Sequence, residues 1–273
     1  MSHPDLEALA RELRARVLSM SCRAKTPHLG SSLSCIEILI ACLWGHLTLK
    51  PETIDDPERD RLVFSKGHAA PALYAALAAR GLISNEMLAS FAQAGSLLGE
   101  QPIPFGVPGL EVATGSLGHG LPVAVGMALA ARIRYPQPGP HIAVVLSDGE
   151  CNEGTVWEAA MMAAAQHLDR LTVIVDYNKW QATGRSQEVM ALDPLAAKWQ
   201  AFGWDAMDVD GHNLTDLMAA LQKPRQGRPH AIIAHTVKGK GVSFMEDDNN
   251  WHYRILNAEE LEIACQELGV AVP

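Results

Sequence analysis

HIAVVLSDGECNEG, His141–Gly154, runs a short apolar stretch into an acidic turn, and LTVIVDYNKWQATG, Leu171–Gly184, repeats that form about thirty residues on. Both apolar runs have strand length, and Thr155 to His167 between them reads as a helix. Strand, helix and strand in this order form a right-handed βαβ unit, which brings both turns to the same carboxyl edge of a sheet. Asp148 and Asn178 can therefore face one ion. A carboxylate, an amide oxygen and a backbone carbonyl form a hard oxygen set suited to Mg²⁺ or Ca²⁺, with substrate phosphates and water completing a Mg²⁺ shell. The helix starting near Thr155 adds a positive dipole end. Taken singly, Asp148 and Glu153 read equally well as residues flanking that helix, and Asn178 as a turn residue. Their order within one βαβ unit favours the shared site.

The rest of the chain supplies the other layers. Leu6, Leu9, Leu13, Val17 and Met20 recur at helical steps, stopping near Lys25, Thr26 and Pro27. In HLGSSLSCIEILIACLW, Ser34 and Glu37 fit a capping box, which puts the turn His28 to Ser32 at a helix N-terminus. LVFS, Leu62 to Ser65, reads as a strand before an Ala-rich helix that stops at Gly81. Leu98 to Leu110, rich in Gly and Pro, is a loop long enough to be functional. The next helix, after TGSLGHG, carries no charge until Arg132 and is expected to be buried nearly all round. YPQPGPH, Tyr135 to His141, is a connector. MDVD and HAIIAHT read as further strands, with helices over Pro194 to Phe202 and Leu214 to Gln222. The implied architecture is α/β and three-layered, a mostly parallel sheet with helices on both faces. Residues 1–273 read as one domain.

Bulk properties exclude several classes. The composition is 48% hydrophobic and 19% charged, which fits a globular protein and not a disordered one. A formal charge of −9 without a basic stripe argues against nucleic-acid binding. The five cysteines are widely spaced and odd in number, so a reduced compartment is expected. No apolar run approaches membrane-spanning length and the N-terminus is unlike a signal peptide, giving a cytoplasmic expectation.

DGECNEG followed by NK resembles the thiamine-diphosphate-binding motif of the transketolase family. The resemblance implies a thiamine-diphosphate-binding fold whose metal, Mg²⁺ or Ca²⁺, is held by Asp148, Asn178 and the carbonyl of Trp180. Gly149 and Glu153 would shape the cofactor pocket. FSKGHAAPALY resembles the segment that places a His beside the cofactor, here His68. TPHLGSSLS resembles the one whose His meets substrate, here His28. PGLEVATGSLGHG resembles the segment packing Gly115 and Leu117 on the cofactor, and TVKGKGVSFMED with WHY the one giving a cofactor-facing Lys238 and His252. These matches span roughly residues 20 to 255. By resemblance His28, His68 and His252 are the catalytic set, a residue type whose unperturbed pKa near neutrality suits proton transfer. Two positions depart from the pattern. The loop near Pro102 lacks a His that helps hold the sugar donor in many members, and His119 stands where Gln is usual.

The family places a cofactor-activating Glu in a further domain, for which no room is expected after the helix NAEELEIACQELG. The chain thus also resembles the N-terminal subunit of split transketolases. This implies a C-terminal partner subunit supplying that Glu, an α2β2 heterotetramer, and a sugar or aldehyde substrate, with two-carbon ketol transfer as the reaction. Apolar helices such as Pro122 to Ala131 and Cys35 to Trp44 could serve as interface or core. Pyruvate–aldehyde condensation, as in the related deoxyxylulose phosphate synthases, is the close alternative. A non-catalytic cofactor-binding partner is the distant one.

Overall fold

Residues 5–136, 138–223 and 227–273 are described in the computed structural model. Among them the strands β1 (Arg61–Phe64), β2 (Ile142–Ser147), β3 (Leu171–Tyr177), β4 (Asp205–Asp210) and β5 (His230–His235) form one sheet in the order β1-β2-β3-β5-β4, with every pair parallel. Ser147 lies opposite Asp176, so the turns after β2 and β3 do leave the same edge. The chain skips a place after β3, reaches the outer edge as β4 and returns as β5. Nothing in the local pattern specifies that skip.

The helices are α1 (Leu6–Ala24), α2 (Leu29–Ser34), α3 (Ile36–Ile40), α4 (Ala70–Ala79), α5 (Asn85–Ala89), α6 (Gly120–Arg134), α7 (Gly154–Ala165), α8 (Ser186–Val189), α9 (Leu195–Ala201), α10 (Leu214–Gln222) and α11 (Ala258–Leu268). Because successive strand residues point to opposite faces, the sheet feeds two cores. Ala143, Val145 and Ile174 join α1 to α4, α10 and α11 on one side; Val144, Leu146, Val173 and Val175 join α6, α7 and α9 on the other. Trp199 and Trp204 fill the second core, each fully buried, at about 1.5–3 kcal/mol per large apolar side chain. The three-layer architecture is the one implied by the sequence. All five cysteines are free and buried, and among the described residues no helix is long and apolar enough to cross a membrane.

Two expectations are corrected. The capping box at Ser34 and Glu37 does not form. The helix starts at Leu29, Ser34 ends α2, and its hydroxyl donates to the Asp176 carboxylate at 2.7 Å, while Glu37 pairs with Arg14. Bonds to buried charges outweigh a local cap. Helix α6 is not buried all round: Val123 is 42% exposed and Ile133 82%. It lies in an outer layer, between the sheet and α7 on one side only. The connector 135–141 includes residue 137, which lies outside the described residues.

Candidate active site at the carboxyl edge of the sheet

The β2 turn begins with Asp148, which opens a 3-10 turn over Gly149–Asn152 and is almost fully buried. Its carboxylate accepts N–H bonds from Gly149 at 2.8 Å and Lys179 at 2.9 Å, and the Ser186 hydroxyl at 2.8 Å. Burial raises its pKa to about 7, against the Ser186 hydrogen bond that favours the charged form. Asn178 follows β3; its Oδ1 accepts the Trp180 N–H at 3.0 Å. Lys179 between them takes a left-handed conformation, φ 71°, which turns Trp180 back along the cavity wall. The indole N–H of Trp180 donates to Asp247 at 2.8 Å, and the Arg185 guanidinium stacks on the indole at 3.8 Å.

The same cleft is lined by a histidine cluster. Ring centroids lie 5.6 Å apart for His28 and His68, 5.1 Å for His28 and His252, and 6.1 Å for His68 and His252. His28 sits at φ 69° before α2 and its amide donates to the His252 carbonyl at 3.0 Å. Lys238, fully buried, donates to His252 Nδ1 at 2.9 Å and to Asn249 Oδ1 at 2.7 Å. Since an ammonium has no acceptor capacity, Nδ1 is the acceptor and the ring proton belongs on Nε2. Burial lowers the pKa of all three rings, His252 to about 3, with the nearby lysine charges adding to the effect. The cluster is therefore neutral near neutrality. Burial also lowers Lys238 to about 8.

These residues line one cleft of about 1010 Å³, including its open mouth. It brings together His28, His68, Gly115, Leu117, Asp148, Gly149, Glu153, Asn178, Trp180 and His252. Lys238 lies just behind, reaching the wall through His252. Close backbone approach shapes the floor: a Cβ on Gly67 would stand 2.6 Å from the Gly115 nitrogen.

Sequence reasoning missed Ser31, Ser147, Asn152, Gln181, Ala182 and Thr183 on the walls. The QATG stretch after Trp180 offered the one signal, a run of small and polar residues between strand and helix. It also missed Glu150, which is buried and draws three segments together. Glu150 accepts the Ser65 hydroxyl, the Gly118 N–H at 2.9 Å and the Ser147 N–H at 3.3 Å.

The donor set fits a metal-bound diphosphate. Asp148 and Asn178 offer hard oxygens. Two polar atoms on the wall, Asn152 Oδ1 and Gln181 Nε2, are buried without a hydrogen-bond partner, a costly state that a polar ligand relieves. Among the described residues no three His, Cys, Asp or Glu side chains converge to hold a metal, so an ion here would rest on the Asp148 carboxylate together with amide, main-chain and ligand oxygens.

Comparison with known proteins gives a consistent picture. A family model described as "Transketolase, thiamine diphosphate binding domain" matches residues 7–272. The chain is 39% identical over 271 residues to one subunit of the apulose-4-phosphate transketolase of Phocaeicola vulgatus, covering 98% of this chain and 95% of that one. It is 41% identical to the 6-deoxy-6-sulfo-D-fructose transketolase subunit SqwG of a Clostridium species, covering 97% and 96%. The crystal structure of transketolase from Campylobacter jejuni superposes with a TM-score of 0.90 at 28% identity, covering all of this chain and 44% of that one. The chain thus spans nearly the whole of the subunit relatives and under half of the solved transketolase.

Proposed function

Because the chain belongs to the transketolase family, matching its thiamine-diphosphate-binding part, we propose that it is the cofactor-anchoring subunit of a two-chain transketolase. Paired with a second polypeptide, it moves a two-carbon ketol unit from a ketose to an aldehyde. Relatives aligned over nearly their full length are named as single transketolase subunits, acting on different ketoses, which supports the two-chain reading and leaves the ketose open. Residues 1–273 act as one domain, in the cytoplasm, within an α2β2 assembly whose other chain contributes the cofactor-activating Glu.

The observation that carries this reading is the cleft lined together by Asp148, Asn178 and three neutral histidines. Asp148, Asn178 and the Trp180 carbonyl would hold Mg²⁺, with Ca²⁺ as a substitute, and the metal would anchor the diphosphate. Gly115, Leu117, Gly149 and Glu153 would shape the cofactor pocket, with Lys238 adding positive charge. When bound, thiamine diphosphate supplies the acidic carbon and the electron sink for breaking a carbon–carbon bond beside a carbonyl. The histidines divide the work: His28 and His68 are neutral and can accept a proton from a substrate hydroxyl, and His252, its Nδ1 engaged by Lys238, can donate a hydrogen bond from Nε2 to a substrate oxygen. Gln181 and Asn152 offer further polar contacts to an anionic ligand.

The test is reconstitution. The chain is purified alone and with the product of the neighbouring gene, and ketol transfer is assayed with thiamine diphosphate and Mg²⁺. Activity is expected only from the pair. Full activity of the isolated chain would sink the half-site reading.

A further inference from the structure

Behind Asn178 runs a buried hydrogen-bond chain that has only one workable direction. Lys66 is fully buried, and its ammonium donates to the Asp176 carboxylate and, at 2.8 Å, to the Ser31 carbonyl. The Thr236 hydroxyl donates to the other Asp176 oxygen. The single Ser34 proton has two acceptors in reach, the Asp176 carboxylate at 2.7 Å and the Ser31 carbonyl at 3.1 Å, so it points to one of these and away from Asn178. Only lone pairs then remain on the Ser34 oxygen, and these face the Asn178 side-chain nitrogen at 3.4 Å. With its nitrogen committed there, Asn178 turns Oδ1 to the opposite side, where it meets the Trp180 N–H and the cleft.

An amide has two ends of similar shape, and a hard cation accepts only the oxygen. We propose that Ser34, itself oriented by the Lys66–Asp176 pair, is a positioning residue that selects the amide orientation of Asn178 needed for metal binding. Ser34 does not line the cleft. The inference rests on the reading of Asp148 and Asn178 as metal-holding residues.

The test is Mn²⁺ binding to the assembled two-subunit enzyme in the presence of thiamine diphosphate, followed by electron paramagnetic resonance, with thermal midpoints measured in parallel. Ser34→Ala should weaken Mn²⁺ binding about tenfold, the size expected for a supporting group behind a ligand. Ser34→Thr, which keeps the hydroxyl, should bind within about twofold of the parent, a difference too small for a lost hydrogen bond. Parental Mn²⁺ affinity in Ser34→Ala, with or without a lower thermal midpoint, would overturn the inference; so would equal loss in Ala and Thr. Should Ser34→Ala fail to assemble, Ser34→Cys replaces it, with weakened binding expected and parental binding contradictory. Asp148→Ala, titrated alongside, separates the two levels. Loss there without loss in Ser34→Ala removes only the positioning role, whereas no loss in either removes the metal site itself.

Discussion

Asp148 Oδ2 accepts the main-chain N–H of Lys179 at 2.9 Å, which ties the turn after β2 directly to the turn after β3. The same oxygen takes the Ser186 hydroxyl. A carboxylate held by fixed donors loses little freedom when it binds an ion, so the separation in sequence between Asp148 and Asn178 costs nothing at the moment of binding. What does cost is charge. Burial keeps Asp148 half-protonated near pH 7, and a divalent cation is the natural partner for the ionised form.

That balance gives a pH profile for cofactor binding. Below about 7 Asp148 holds a proton that competes with the metal, so affinity for the Mg²⁺–thiamine diphosphate pair should rise as the pH increases through about 7. Lys238 loses its charge as the pH rises through about 8, which should weaken the hold on an anion. A bell-shaped affinity, measured by calorimetry between about pH 5.5 and 9.5, is expected. Asp148→Asn should lack the acid limb and Lys238→Met the alkaline one. Unaltered limbs in these variants would contradict the assignment.

His252 should matter for rate. With Nδ1 engaged by Lys238, its Nε2–H is left to donate a hydrogen bond in the cleft that His252 lines, and His252→Ala should lower kcat/KM about 10²-fold or more. Steady-state kinetics of the reconstituted pair measure this. A loss below about threefold would mean the ring makes no hydrogen bond that counts in the transition state.

Two glycines give opposite outcomes. A Cβ on Gly67 would meet main-chain atoms at 2.6 Å, so Gly67→Ala should destabilise by about 1–3 kcal/mol or more and weaken cofactor binding through the floor of the cleft. Gly126, within α6, has nothing within 4 Å of such a Cβ, and Gly126→Ala should stabilise by about 0.5–1 kcal/mol. Denaturant titrations of both variants check the pair.

Glu37 is held by Arg14 at 2.7 Å and His212 at 3.0 Å. Burial pushes its pKa up, but Arg14 and His212 outweigh burial and leave it at about 2, below its ordinary 4.5. A depressed carboxylate contributes stability that is complete above the ordinary value and is lost as the pH falls from 4.5 towards 2. Glu37→Gln leaves Arg14 buried without a counter-charge and should cost about 3–5 kcal/mol at neutral pH. The gap between parent and variant should narrow in acid, as thermal melts at several pH values can show.

The fold was legible where periodicity carries it. HIAVVL and LTVIV read as buried strands from their length and continuous apolar character, and their flanking turns followed. The strand order was not, because the skip from β3 to β4 depends on how α9 and α10 pack, which no local run encodes. At the site, ten of the eleven residues named from sequence line the cleft and Lys238 stands behind it. Ser34, Lys66, Glu150 and Asp176 were illegible as site residues. Each is buried and acts through a partner distant in sequence, and Ser34 was actively misleading, since Ser34 and Glu37 have the spacing of a cap.

The most direct measurement is a crystal structure of the assembled enzyme grown with thiamine diphosphate and Mn²⁺, with anomalous scattering used to locate the ion. One peak is expected in the cleft, bonded to Asp148, to Asn178 Oδ1 and to the Trp180 carbonyl, at roughly 2.0–2.3 Å as for hard cations on oxygen. A peak elsewhere, or a diphosphate bound with no ion between it and Asp148, would contradict the metal anchor on which the proposed function depends.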